Sequence, residues 1–359
     1  RKRAALQAYY EWMPIREPQP GRAFEAINRS FQFGDLVSLV MLETRLLART
    51  HQYDPAQMPI KMQRWDMSHP AAPVALRDGE ADRPGQQMLP AIYESVNGQM
   101  QPVLDWQRVR TLAPQARSLP DGFYLAPDVV ALNAQLDSQE RTLMGDAQEA
   151  WLRNELTTSK RDGVKWRVIG NQVLMAPIQA PDLSATPPAL AQALERLRPG
   201  VTQLLKLTKF PFPLSMDGWD GYPRERARVL AAIRAAGGDT LVVTGDSHAA
   251  WANELSDANG RVAVEFGGTS ITSPSDGDYF TSAGVDFSGA IRARNPDVKW
   301  TDHHHHGFIL LTLTKERALA EYMTVSTILA KQYETGRAVA FAVAPAGGGS
   351  VGVLTQVAD

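Results

Sequence analysis

The apolar pattern of this sequence switches repeatedly between strand-like runs and helix-like spacing, and that alternation restricts the fold to a mixed α/β class. Apolar side chains at helical spacing predict helices at the start of the chain, from Asp146 to about Ser159, with Asp146 as the N-cap, and after Pro223. Short runs of β-branched and aliphatic residues predict strands at about 36–42, 164–169, 240–244, 261–266, 307–313 and 318–325. Helices separate the early strands, whereas the late strands follow one another without helices.

The composition excludes several classes of protein. The 37 Lys and Arg residues nearly balance the 39 Asp and Glu residues, so the formal net charge is −2 at pH 7. That balance argues against a broadly basic surface for nucleic acid, and it leaves room for a local basic pocket. No apolar run approaches the roughly 20 residues of a transmembrane helix. The absence of Cys excludes disulfides, thiolate metal ligands and a Cys nucleophile within these residues.

Sequence motifs of several common enzyme classes are missing. No GxSxG nucleophile elbow follows a predicted strand, and the segment GGTSI at 267–271 does not fit one. The sequence has neither a phosphate loop ending in GK[ST] nor a GxGxxG turn. A serine hydrolase and a nucleotide-binding fold are therefore disfavoured.

The segment TLVVTGDSHAAWANEL carries the sharpest local signal. A buried strand delivers Asp246 and His248 to its carboxyl end, where open α/β sheets bind ligands. A carboxylate and an imidazole on one tight turn suit a hard dication or a bridged pair of cations. The alternative is structural: Asp246 would cap a following helix, and His248 would donate to a backbone carbonyl.

A second strand end offers amide side chains. Asn171 and Gln172 follow the strand that ends near Gly170, and their amides could bind a metal or hold a phosphate or water. We predict them as catalytic residues, although a turn satisfied by its own backbone explains the same pattern.

Four further residues are predicted to contact substrate. Arg45, after the first strand, could bind a phosphate bidentately, or it could pair with Glu43 or another carboxylate. Trp219 and Tyr222 could wall a pocket, or they could form a turn before the helix. Within the run from 303 to 306, most histidines are expected in a loop or in solvent, and His306 is the best placed for a site.

The chain is predicted to contain one main domain. It spans residues 1–335, with a poorly patterned insertion at about 51–137 that we expect to shape the pocket. Residues 336–359, rich in Ala and Gly, are expected to form one edge strand and then fray.

Seven segments together resemble one known family. TGDSHAAWANEL, WRVIGNQVLMAP, MDGWDGYPRER, VEFGGTSITSP, RKRAALQAYYEWMP, FGDLVSLVMLETR and RTLMGDAQEAWL match, in order and spacing, the alkaline phosphatase D (PhoD-like) family of the metallophosphoesterase superfamily. Jointly these motifs are specific, and they cover nearly the whole chain except about 51–130 and the tail.

The resemblance implies a two-sheet α/β sandwich flanked by helices, with a dinuclear metal centre at the strand ends. It implies hydrolysis of phosphate monoesters or diesters by a metal-activated water, with Fe and Ca as the expected metals and Zn, Mn or Co as other pairs. Asp246 and His248 match the metal-binding GDxH segment of the family. The family also implies export, so a periplasmic or secreted location is expected.

The family pattern includes segments that these residues lack. They are a Cys ligand, an Asp and a Tyr on a GDxxY-type turn, and a WDDHE-type turn. We therefore expect the chain to be the carboxyl-terminal portion of a catalytic domain, incomplete at its amino end and partnered by the missing portion. The alternative function is a non-catalytic descendant that binds a phosphorylated ligand or a partner.

Overall fold

The structure is a computed structural model that describes residues 1–197 and 199–358. The helices are α1 (Lys2–Trp12), α2 (Trp106–Leu112), α3 (Val129–Leu136), α4 (Gly145–Arg161), α5 (Pro188–Leu197), α6 (Val201–Leu207), α7 (Pro223–Ala235), α8 (Asp276–Thr281) and α9 (Phe287–Arg294). The strands are β1 (Arg29–Phe33), β2 (Val37–Met41), β3 (Met62–Asp66), β4 (Val74–Ala75), β5 (Gln87–Pro90), β6 (Ile92–Val96), β7 (Gln99–Pro102), β8 (Phe123–Leu125), β9 (Trp166–Gly170), β10 (Thr240–Thr244), β11 (Ala250–Asp257), β12 (Gly260–Gly267), β13 (Val298–Asp302), β14 (His306–Leu313), β15 (Ala318–Val325), β16 (Thr335–Val343) and β17 (Thr355–Val357). The expected mixed α/β class is confirmed.

Among the described residues, seven strands form the largest sheet, in the order β1-β2-β9-β10-β12-β11-β13. The four consecutive strands β2, β9, β10 and β12 are parallel, and β1, β11 and β13 pair antiparallel. Parallel strands need crossover connections, and α4 precedes β9 while α7 precedes β10. The carboxyl ends of the four parallel strands therefore meet at one edge of the sheet.

A second, antiparallel sheet contains β14, β15, β16 and β17. Its inner face shares one hydrophobic core with the larger sheet. In this core, Trp166, Leu241 and Phe266 of the larger sheet lie in one cluster with Ala320 and Phe341 of the second sheet. Burial of this apolar surface, at roughly 25 cal/mol per Å², is the main force that holds the two sheets together.

The helix α4 begins differently from the prediction. Its apolar stripe, Leu152 and Leu156, is buried as expected, but the helix begins at Gly145 and Asp146 lies inside its first turn, so the prediction of Asp146 as N-cap is wrong. Instead, the buried carboxylate of Glu225 accepts hydrogen bonds at the start of the helix from the backbone N–H groups of Leu143, Met144 and Gly145, with Leu143 N at 2.5 Å. The start of α4 is thus capped by a carboxylate from α7 together with the local hydroxyl of Thr142, which accepts from Gly145 N at 2.8 Å.

The segment after the GDSH turn is a strand. Residues from Ala250 to Asp257 form β11 and pair with β12 and β13, so no helix follows for Asp246 to cap. The alternative interpretation, in which Asp246 caps a helix, is therefore wrong. The run of buried side chains in β11, with Trp251 and Leu255 among them, fits a strand covered on both faces.

The described residues divide into two compact units. One contains 1–53, 136–178 and 215–358 with both sheets described above, and the other contains 54–135 and 179–214. The second unit has two three-stranded sheets, β4-β3-β5 and β7-β6-β8, within the segment at 51–137 that the sequence marks only as poorly patterned. The interpretation of 51–137 as an insertion that shapes the pocket stays a prediction.

The end of the chain is more ordered than expected. The sequence predicts one edge strand after residue 335, whereas the structure has β16 paired on both sides and β17 beyond it, with Asp359 outside the described residues. Across the described residues, no helix has the length and apolar character needed to cross a membrane.

Candidate functional site

Four loops leave the carboxyl edge of the parallel strands side by side. The strand ends are in register, since Met41 pairs with Gly170 and Thr244 pairs with Gly267. The loops after β2, β9 and β10 carry most of the residues that the sequence predicts for a site. Ligands of open α/β sheets bind at this edge.

The loop after β2 is held by buried polar side chains. The carboxylate of Glu43, fully buried, accepts hydrogen bonds from the backbone N–H groups of Arg45, Leu46 and Leu47 at 2.6–2.9 Å. Gln172 Oε1 accepts from the backbone N and the hydroxyl of Thr44 at 2.6 and 2.5 Å. Gln172 thus fixes the residue before Arg45, and its catalytic role stays a prediction.

Arg45 lies between two carboxylates. Its guanidinium binds Asp217 through both terminal nitrogens, at 2.9 and 2.7 Å, and its Nη2 lies 2.9 Å from Asp246 Oδ2. The pairing with Glu43 that the sequence allows does not occur, because Glu43 binds the backbone. Hydrogen bonding to Asp217 raises the pKa of Arg45 above its usual value.

Arg49 adds a second guanidinium to this group. Its Nη2 donates to Asp217 Oδ1 at 2.6 Å and to the Asp217 carbonyl at 2.8 Å. Burial alone would raise the pKa of Asp217, but hydrogen bonds and charge from Arg45 and Arg49 outweigh burial and lower that pKa. Asp217 therefore stays ionised and holds the two arginines together.

The turn after β10 has an unusual backbone. Asp246 has φ of 70° and His248 has φ of 56°, both in the left-handed region that non-glycine residues seldom adopt. Backbone strain of this kind costs about 1–3 kcal/mol per residue and is concentrated at functional sites. The turn is braced by Ser247, whose hydroxyl accepts from Trp251 Nε1 at 2.9 Å.

The imidazole of His248 is oriented by a backbone carbonyl. Its Nδ1 lies 2.9 Å from the Pro274 oxygen, and a carbonyl only accepts, so Nδ1 carries the proton. The Nε2 lone pair remains available for a cation or a proton, as in ligating histidines with a second hydrogen bond. The predicted structural contact of His248 with a carbonyl is thus present, and it is compatible with ligation through Nε2.

The histidine run lies beside this turn. Thr269 Oγ1 lies 3.1 and 2.9 Å from the carbonyl oxygens of His248 and His305, within reach of its hydroxyl proton. His306 Nδ1 lies 3.1 Å from Ser270 Oγ, and the exposed ring of His305 bonds to Asp302 at 2.6 Å.

One member of the run is not in solvent. His303 is 5% exposed, with its ring between Trp251 and Phe287 at 4.8 Å from each. Burial lowers its pKa to about 4, so the imidazole is neutral at pH 7.

Three predicted residues are built into the core rather than exposed in the site. Asn171 donates to the Val173 carbonyl at 2.5 Å and accepts from Trp219 Nε1 at 3.2 Å, so both ends of its amide are occupied. Trp219 and Tyr222 are 0% and 1% exposed. Tyr222 donates its hydroxyl to the Thr50 carbonyl at 2.8 Å. The prediction of Trp219 and Tyr222 as pocket walls is corrected, because both side chains are buried in the core.

Asp246 and His248 supply only part of a metal centre. Asp246 offers a half-exposed carboxylate and His248 offers Nε2, but within the described part of the chain no three His, Cys, Asp or Glu side chains are grouped closely enough to hold a metal ion. Catalytic and structural transition-metal sites use at least three protein ligands. The pair therefore fits as two donors toward a site that needs others.

Sequence reasoning missed Asp217 and Arg49. Asp217 lies two residues before Trp219 in the loop before α7, and Arg49 follows Arg45 by four residues. The MDGWDGYP loop was the available signal for Asp217, but the aromatic residues in it were the more conspicuous.

The chain is similar to proteins of one family in sequence and in fold. A family model described as PhoD-like phosphatase matches residues 1–322. The alkaline phosphatase D of Bacillus subtilis (strain 168) is 27% identical over 329 residues, which cover 90% of this chain and 38% of that protein. A solved structure of PhoD has a TM-score of 0.56 at 22% identity, covering 99% of this chain and 48% of that one. The chain thus spans less than half the length of these relatives.

Proposed function

The chain belongs to the PhoD-like phosphatase family, and from that premise we propose that it takes part in the hydrolysis of phosphate esters at the carboxyl edge of its parallel strands. The observation that carries the proposal is the meeting of Arg45, Asp217 and Asp246 from three separate loops at that edge. Phosphate monoesters and diesters are both proposed substrates.

Arg45 is the proposed phosphate-binding residue. Its side chain is about a third exposed, and its ion pair with the half-exposed Asp246 is the contact that a phosphate oxygen could replace. Exposed ion pairs contribute about 0–1 kcal/mol, so this exchange would cost little. Asp217, held by Arg49, would keep the guanidinium of Arg45 in place. The side of that guanidinium that now faces Asp246 would then bind the substrate.

Charge balance supports a cation at the same place. The two arginines and the two aspartates cancel, so an arriving phosphate dianion would leave an excess of negative charge. Asp246 and His248 would hold the metal ion with other ligands, and Fe and Ca are the proposed metals. When bound, such a cation would make the attacking water more acidic and offset charge on the phosphate oxygens.

We also propose a fold family and a cellular location for the protein. The two sheets with a shared core support a metallophosphoesterase-like sandwich. The family resemblance supports a periplasmic or secreted protein, which fractionation of cells would test.

The proposal is tested by activity of the purified protein. p-Nitrophenyl phosphate and bis-p-nitrophenyl phosphate would be assayed with and without a chelator, for wild type, Arg45→Ala and His248→Ala. Arg153→Ala, a surface arginine in an ion pair with Glu149, is the matched control. We expect at least a hundredfold loss in kcat/KM for the two site variants. Wild-type rates in either variant would contradict the assignment.

A second candidate is a phospho-ligand-binding protein without turnover. The pairing of Asp246 with Arg45, and the two-donor cation site among the described residues, favour it. It predicts saturable binding of phosphate that Arg45→Ala weakens, with no hydrolysis by the wild-type protein at any metal concentration.

A further inference from the structure

A basic cavity lies at the opposite edge of the same sheet. Its volume is about 560 Å³, and it opens at the amino ends of β9 and β10. Four cationic side chains line it: Lys160, Lys165, Arg167 and Arg234. β9 has five residues at ~3.3 Å each, so roughly 16 Å of strand separates this edge from the candidate site.

The cations in the cavity outnumber the carboxylates that reach them. Arg234 is neutralised by Asp257, which it binds through two nitrogens at 2.7 Å each. Lys165 Nζ lies 3.9 Å from Asp239 Oδ2, a weak pair. The other oxygen of Asp239 accepts from backbone N–H groups, including Ala346 N at 2.7 Å.

Two cations in the cavity hydrogen-bond to carbonyls rather than to carboxylates. Lys160 Nζ donates to the Ala235 carbonyl at 3.1 Å. Arg167 donates to the Gly238 carbonyl at 2.9 and 2.6 Å and to the Val164 carbonyl at 3.3 Å. Two positive charges therefore remain in excess.

Arg167 makes the excess costly. Arg167 is 5% exposed, and burial lowers the pKa of its guanidinium below the usual value. The charge of Asp239 offsets only part of this effect, so a further anion bound nearby would stabilise the buried guanidinium.

The shape of the cavity fits a small ligand. Its volume falls within the roughly 300–1,000 Å³ of small-molecule sites. The glycine-rich loop that closes one side packs tightly, since a Cβ at Gly349 would lie 2.9 Å from the Arg234 carbonyl. The lining side chains include no aromatic ring, so the cavity offers no stacking surface for a nucleobase.

We propose that this cavity binds a small diphosphate-type anion at a site separate from the carboxyl edge. Lysine ammonium groups and an arginine fork supply many donors for clustered phosphate oxygens. Two excess positive charges favour an anion of two or more charges over a carboxylate.

The test uses methylenebisphosphonate, a diphosphate analogue whose P–C–P bridge phosphatases cannot hydrolyse. Titration calorimetry on purified Arg45→Ala protein isolates the cavity from the candidate site. We expect binding that weakens at least tenfold in Lys160→Ala/Lys165→Ala and steeply with added salt. The control Lys315→Ala/Lys331→Ala removes two exposed lysines and should bind like its parent.

Three results would overturn the proposal. They are no binding by Arg45→Ala protein that retains its wild-type circular dichroism, unchanged affinity in the Lys160→Ala/Lys165→Ala protein, and equal affinity for sulfate. If Arg45→Ala does not fold, the lysine substitutions are compared in wild-type protein by the ligand-induced rise in Tm, which they should reduce. Loss of hydrolysis has no bearing on these readouts, so failure of the proposed function stays distinguishable.

Discussion

Arg45 Nη2 and Asp246 Oδ2 lie 2.9 Å apart although 201 positions separate the two residues in the chain. The contact joins the loop after β2 to the turn after β10, across the intervening end of β9. It places a guanidinium that can bind phosphate against a carboxylate that can bind a cation, which is the arrangement that the proposed hydrolysis would use.

Substitution of Asp217 should separate the two arginines. In Asp217→Asn the amide cannot neutralise Arg45 and Arg49, so Arg45 loses its fixed orientation. We expect KM for p-nitrophenyl phosphate to rise about tenfold with a smaller change in kcat, and stability to fall by about 1–3 kcal/mol. Asp82→Asn, which removes an exposed ion pair with Arg64, is the control. An unchanged KM would show that Asp217 has no role in positioning Arg45.

Asp246→Asn should separate activity from stability. Asn tolerates the left-handed conformation at φ of 70°, and the lost ion pair is half-exposed, so urea unfolding should shift by less than about 1 kcal/mol. Activity should fall at least a hundredfold, since the carboxylate is the proposed cation ligand. A large loss of stability with retained activity would be the opposite of this expectation.

Glu225→Gln tests the remote cap of α4. The buried carboxylate accepts from three consecutive N–H groups, and a neutral amide would both weaken these bonds and place a donor against them. We expect a loss of about 2–4 kcal/mol in the free energy of unfolding, measured by urea denaturation. Glu140→Gln, at an exposed glutamate, should change it by less than about 0.5 kcal/mol.

His303 should make the protein sensitive to acid. Its pKa is about 4 in the folded state against 6.5 in a model peptide, so the unfolded chain binds the extra proton between these values. The free energy of unfolding should fall by about 3 kcal/mol as pH drops from above 6.5 to 4. His303→Phe, whose ring suits the contacts with Trp251 and Phe287, should remove this component from urea titrations at pH 7, 6, 5 and 4. Parallel pH profiles for both proteins would contradict the assignment.

The local sequence was sufficient for some features of the site. The segment TLVVTGDSH predicts both the strand β10 and the polar turn after it, because a β-branched run that ends in Gly and Asp has few other conformations. The strand β11 could not be predicted in the same way, since AAWANEL contains good helix formers. Its strand conformation depends on pairing with β12 and β13, which is a tertiary effect rather than one set by local sequence.

Other features depend on contacts between distant residues. Asp217 belongs to the candidate site because it binds Arg45, which lies 172 positions away in the sequence. The residues next to Asp217 do not indicate this contact. Trp219 and Tyr222 illustrate the same limit: an aromatic residue beside a glycine turn has the same local pattern whether it faces solvent or the core. Their burial follows from partners at Asn171 and Thr50.

The second compact unit is assembled from two separate stretches, one from the β2–β9 connection and one from the β9–β10 connection. Lys206 from the later stretch donates to the Leu119 carbonyl of the earlier one at 3.1 Å, and the rings of Phe210 and Tyr93 are 5.2 Å apart. Deleting either stretch alone would strip the cover from apolar side chains in the other. Protein engineers who graft or trim these connections would need to exchange both as a matched pair.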